Sequence, residues 1–150
     1  MKPITVETTI NRPVEEVYDH LDVLANHEAF TNHFLVDWRP EGPAAGVGAQ
    51  VRVKAKPGGQ EILVTVLEAT RPTHIAEKTE AAGGKRLTRG TYTLRPLGTD
   101  TTHVSFELRV ERSPAVERPL APLIRMLLVK ANQTAVDRLK EQLQTTRTAA

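Results

Sequence analysis

The sequence predicts an α+β domain. Seven antiparallel strands form one sheet, a long C-terminal helix covers one face, and two short helices sit between the first and second strands. Three observations carry that expectation. Segments of alternating apolar and polar residues recur from Ile4 to Phe106. Pairing them through their turn residues keeps the apolar positions on a single face. The stretch Pro122 to Gln144 is apolar at helical spacing.

The opening segment ITVETTINRPVEEVYDHL holds a strand and a helix. Ile4, Val6 and Ile10 share a strand face, and Val14, Val17, Tyr18 and Leu21 recur at helical spacing. Pro13 suits the first helical turn, where its missing N–H has no partner, and Glu15 and Glu16 lie where the helix dipole favours negative charge. Ala25 to Phe30 reads as one more helical turn, with Asn26 as its cap. From Asn32 the pattern alternates, with Phe34, Val36 and Trp38 on one face and Leu35, Asp37 and Arg39 on the other. After the loop Pro40 to Gly48, Val51, Val53 and Ala55 alternate with Arg52, Lys54 and Lys56.

Turns then set the registers. A tight turn at Gly58-Gly59 places Val53 opposite Val64 and Val51 opposite Val66. A loop centred on Thr70 and Arg71 sets Val66 against Ile75 and Val64 against Glu77. A turn at Gly83-Gly84 pairs Ile75 with Tyr92 and Glu77 with Gly90. A loop at Gly98 to Asp100 pairs Tyr92 with Phe106 and Leu94 with Val104. Ser113 and Pro114 end the last strand, and Pro119 or Pro122 opens the final helix. Its stripe runs through Leu120, Leu123, Ile124, Leu127, Leu128, Ala131, Ala135, Leu139 and Leu143. The upper part, LAPLIRMLLVKA, is apolar on more than one face, as a cavity lining or a subunit contact would be.

The opening strand and helix, the run of strands and the long last helix resemble the SRPBCC or START-related polyketide cyclase/dehydrase superfamily. The resemblance implies a helix-grip fold, in which a curved sheet wraps the last helix around a cavity. It also implies a bound apolar or amphipathic small molecule, lipid- or polyketide-like. The family often carries a proline-x-tryptophan element after the short helix. Here Thr31-Asn32-His33 stands near that place and makes the entrance more polar.

Composition bounds the rest. One hundred and fifty residues, 39% hydrophobic and 25% charged, fit a single domain spanning 1–150, with a flexible tail at 145–150. Without cysteine there is no disulfide, thiolate nucleophile or thiolate metal site. No apolar run reaches membrane-spanning length and the N-terminus is no signal peptide, so no stable membrane insertion and a cytoplasmic location are expected. A net charge of +2 does not suggest nucleic acid, and the basic outer face formed by Arg52, Lys54, Lys56, Lys78 and Arg89 lacks interleaved aromatics. No dinucleotide, Walker, zincin or serine-hydrolase motif occurs, and no cofactor or metal is expected. A monomer or homodimer fits equally.

Parity makes Glu77 the most informative polar residue. It falls on the covered face between Val64 and the side-chain-free Gly90, with Tyr92 diagonal to it. Burial there would raise its pKa, fitting it for acid–base work or for accepting a ligand hydroxyl. A solvated or lysine-paired glutamate at the sheet rim is the plainer alternative. Tyr92 offers a phenol beside it, unless the core simply satisfies that hydroxyl. Phe34, Trp38, Val64 and Phe106 from the sheet, with Leu123 and Leu127 from the helix, are expected to supply apolar contact. His33, with His27 and Asn32, is placed at the mouth, although surface histidines would leave the same pattern. Three functions follow: a small-molecule binder, a cyclase or dehydratase using Glu77 and Tyr92, or a protein-interaction module with a filled core. An enclosed space on the order of 300 Å³ or more is expected for the first.

Overall fold

The computed structural model describes the backbone of residues 1–149 and the side chains of residues 1–145, so the tail expected at 145–150 lies mainly outside the described side chains. The order is β1 (Ile4–Ile10), α1 (Val14–Asp22), a 3-10 turn (Leu24–His27), α2 (Glu28–Thr31), then β2 (Leu35–Glu41), β3 (Gln50–Ala55), β4 (Glu61–Thr70), β5 (His74–Ala81), β6 (Arg86–Pro96) and β7 (Thr102–Arg112). A 3-10 segment (Ala115–Leu120) leads into α3 (Ala121–Ala149). The strands form one antiparallel sheet ordered β1-β7-β6-β5-β4-β3-β2, the expected meander closed by β1 on β7.

Registers between β5, β6 and β7 fall where the turns place them: Ile75 opposite Tyr92, Glu77 opposite Gly90, Tyr92 opposite Phe106 and Leu94 opposite Val104. Two earlier hairpins slip by two residues. Val51 faces Val64 and Val53 faces Ile62, because the turn takes four residues, with Ala55 N donating to Gln60 O and both glycines at positive φ. Val66, not Val64, faces Glu77, while Val64 faces Thr79. A three-residue connection, Arg71 to Thr73, and a bulge between Val66 and Glu68 account for this second slip. A slip of two leaves every side chain on its own face, so the inward set survives.

In β2 the parity itself changes. Leu35 pairs with Ala55 and Val36 with Lys54, so Leu35 turns inward and Val36 outward, opposite to expectation. Asp37, at φ 57°, is the extra residue of a bulge that returns Trp38 to the inner side. Phe34 precedes the strand but still packs, with Leu35 and Trp38, against the core. Outside, the basic face is matched by acids. Arg52 meets Glu41 at 2.9 Å, Lys78 meets Glu80 at 3.1 Å and Arg89 meets Glu68 at 3.0 Å, while Arg39 pairs with Glu61.

α3 is strapped to β1 along its length. Arg125 donates to the carbonyls of Lys2 and Pro3, Gln133 to that of Glu7 at 3.3 Å, and Gln144 accepts from Asn11 N at 3.0 Å. On its other side the contacts with the α2 region begin only at Ala131. There His33 Nε2 donates to Ala131 O at 2.9 Å, Arg138 to Asn32 at 2.9 Å and Gln142 to Ala29 O at 2.7 Å. Ala135, Val136, Leu139 and Leu143 join Val17, Tyr18, Leu21 and Phe30 in the main core.

Candidate ligand site on the concave face

The inner face of the sheet has a sealed half and an open half. The row Ile75, Tyr92, Phe106 and Val6 is buried, as are Leu94 and Val104 beyond it. In the opposite direction the sealing fails. Leu108 is half-buried, and so are Thr79, Thr88 and Val110 in the next row, although Val64 and Val51 at the other end of that row are buried. Glu77 stands at the boundary between the two.

Glu77 is 9% exposed, and its Oε2 is buried without a hydrogen-bond partner. No basic side chain offsets the lost hydration, so burial raises its pKa from 4.5 to about 7. The rim alternative, a solvated or lysine-paired carboxylate, therefore does not hold. Gly90 opposite it is bare for a steric reason: a Cβ there would stand 2.8 Å from the Phe106 ring. That ring packs on Tyr92 with centroids 4.6 Å apart. Burial, and then the nearby Glu77 carboxylate, push the Tyr92 phenol well above its usual range, so it remains a hydrogen-bond donor.

His27 does not lie at the mouth or on the surface, where the sequence places it. It is a core residue, 4% exposed, with Nε2 donating to Leu21 O at 2.7 Å and its ring edge-on to Tyr92 at 5.7 Å. Burial lowers its pKa to about 4, so it stays neutral. Sequence offers a weak signal for this: His27 lies six residues after Leu21, past the helix end whose free carbonyl it satisfies. His33 is half-buried, bonded to α3 and stacked edge-on to Phe34 at 4.7 Å. Asn32 lines an open depression of about 360 Å³ with His20, Ala25, Asn26, Glu28 and Ala29, which neither His27 nor His33 lines.

The structure thus brings Glu77, Tyr92 and Phe106 together, sets Val64 one row away, and places Trp38 toward the far edge with its Nε1 donating to Leu35 O at 3.0 Å. It does not bury Leu123 and Leu127, which are 48% and 57% exposed. Helical spacing alone puts them on the apolar stripe, but the inward arc of α3 runs instead through Ile124, Leu128, Asn132, Ala135 and Leu139. Neither of the two depressions described lies beneath the helix, where an enclosed space is expected. The second depression, about 230 Å³, lies beside the β5–β6 turn around Arg52, Glu61, Glu80 and Gly83, away from Glu77. Thr79 and Thr88 face the same way beside Glu77 and are not among the residues singled out from the sequence, although each stands two residues from Glu77 or Gly90.

Known proteins share this fold. A structure of TTHA0849 from Thermus thermophilus superposes with a TM-score of 0.75 at 18% identity, covering 97% of this chain and 99% of that one. Norcoclaurine synthase from Thalictrum flavum, in complex with dopamine and hydroxybenzaldehyde, gives 0.72 at 16% identity over 96% and 87%. DynU16, of the dynemicin biosynthetic locus, gives 0.69 at 17% identity over 97% of this chain and 48% of that one. No curated protein matches the sequence. The family described as polyketide cyclase / dehydrase and lipid transport matches residues 1–144, and the chain belongs to it.

Proposed function

We propose, from that membership and from Glu77, that the chain binds an apolar or amphipathic small molecule in the open half of the concave face. The carrying observation is the unpartnered carboxyl at the boundary of the sealed core. A buried polar group without a hydrogen bond costs about 1–3 kcal/mol or more, so the site calls for a donor from outside the chain. With a pKa of about 7, Glu77 both donates and accepts near neutral pH, which suits a ligand hydroxyl. Tyr92 supplies a second donor. Val64, Phe106, Leu108, Val110 and Trp38 supply apolar contact, the usual composition of such pockets. The aromatic compounds bound by norcoclaurine synthase are of this chemical kind.

Two further readings each have an observation behind them. A carboxyl poised near pH 7 beside a protonated phenol fits a cyclase or dehydratase, with Glu77 moving the proton and Tyr92 donating to an enolate-like oxygen. The exposed apolar part of α3 fits an interaction module. A module with a filled core, however, has no use for an orphaned carboxyl.

The test is thermal-shift screening of hydroxylated aromatic and polyketide-like compounds against wild type and Glu77→Gln, with product analysis on every hit. Stabilisation of wild type that is lost in Glu77→Gln supports binding, and product formation lost with it supports the enzyme. Hits that stabilise both proteins equally, or no hit at all, overturn the assignment of Glu77.

A further inference from the structure

Six of the nine exposed large apolar side chains among the described residues fall between Val116 and Val129. Val116 is 82% exposed, Met126 61% and Leu120 53%. Leu120, Leu123, Leu127 and Lys130 recur at steps of three and four, so they share one helix face, turned away from the core stripe. Farther along, the same face carries Thr134, Asp137 and Glu141. The helix is therefore amphipathic in its second half and apolar on its outer face only in its first. Nothing in the described packing covers that outer face.

Charge indicates what would. Between Ala115 and Lys130 the basic residues are Arg118, Arg125 and Lys130, and the lone acid, Glu117, is already paired with Arg86 at the start of β6. Arg118 and Lys130 are exposed beside the apolar side chains. A second copy docked through a two-fold axis would set these cations against one another in a desolvated interface. A surface of anionic head groups would instead receive both the charges and the apolar side chains. No described helix is long and apolar enough to cross a membrane, so contact of this kind is interfacial.

We propose that the segment from Val116 to Lys130 docks the protein onto a lipid surface bearing anionic head groups. This surface is separate from Glu77 and stands whether or not the concave face holds a ligand. The test is cosedimentation of the full chain with phosphatidylcholine vesicles, with and without phosphatidylglycerol, at low and high salt. The variants are Val116→Ser/Met126→Ser and Arg118→Gln/Lys130→Gln. All four side chains project into solvent, and circular dichroism with a thermal melt verifies that each variant folds. The expected result is binding that requires phosphatidylglycerol and weakens with salt. Each pair of substitutions should reduce it, removal of the two charges by roughly tenfold or more. No cosedimentation at low salt, or binding indifferent to both pairs, overturns the proposal. So does a dimer in light scattering that Val116→Ser/Met126→Ser dissociates, since a second copy would then cover the face.

Discussion

The two halves of α3 are built from similar apolar residues and do different work. From Ala131 onward the helix is held on both sides, by β1 and by the α2 region, and Ala135, Val136, Leu139 and Leu143 are buried between them. Before Ala131 Arg125 bonds the chain just ahead of β1 and Leu128 packs on the core, while Leu123, Met126 and Leu127 are exposed. The concave face of the sheet divides similarly, with a sealed row through Tyr92 and a row through Thr79 and Thr88 that is only partly buried. Apolar spacing states what a helix can bury, whereas its neighbours decide what it does bury. Regions left with few packed neighbours are also those from which binding elements are drawn.

The largest expected effect separates the halves directly. Leu139→Ala should cost about 2–5 kcal/mol in denaturant unfolding, since Leu139 is fully buried. Leu123→Ala should stay within about 0.5 kcal/mol. Equal losses would mean that the first half of the helix is packed in solution, and the comparison would fail.

Next comes Glu77, at the boundary. Its folded pKa of about 7 exceeds the 4.5 of the free group, so the unfolded chain ionises first as pH rises. Its contribution therefore opposes folding progressively between pH 4.5 and 7, reaching at most roughly 3 kcal/mol. Glu77→Gln should accordingly gain stability relative to wild type as pH rises from about 4 to about 7, in melts across that range. A constant difference between the two proteins would show that the carboxyl is hydrated or paired in solution.

The smallest effect tests the sealed side of the boundary. Gly90→Ala puts a methyl within 2.8 Å of the Phe106 ring and should cost about 1–3 kcal/mol. Adding Phe106→Leu should recover part of that loss in chemical denaturation. Without any recovery, the strain would lie elsewhere than between this glycine and this ring.

Much of the fold is legible in the sequence because turn chemistry and period-two alternation act locally. Gly83 and Gly84 set the β5–β6 register, and with it the pairing of Glu77 with Gly90, as their positive φ allows. Where a bulge adds a residue, near Leu67 and at Asp37, local pattern cannot show it, since the extra residue is placed by pairing across the sheet. Even so, Glu77 stays inward because the slip is two residues.

Local pattern was enough to pair β3 to β7 in order, to assign their apolar face, and to put one carboxylate and one phenol on it. Those follow from side-chain periodicity and turn geometry within a few residues of each position. Long-range packing set the burial of His27 against Tyr92, the partial burial of Thr79, Thr88 and Leu108, and the projection of Leu123 and Leu127 into solvent. Burial is a relation between elements distant in the chain, and α3 is held on β1 by Arg125, Gln133 and Gln144, whose partners lie more than 120 residues away. No stretch of sequence short enough to carry a periodic signal contains both partners of such a contact.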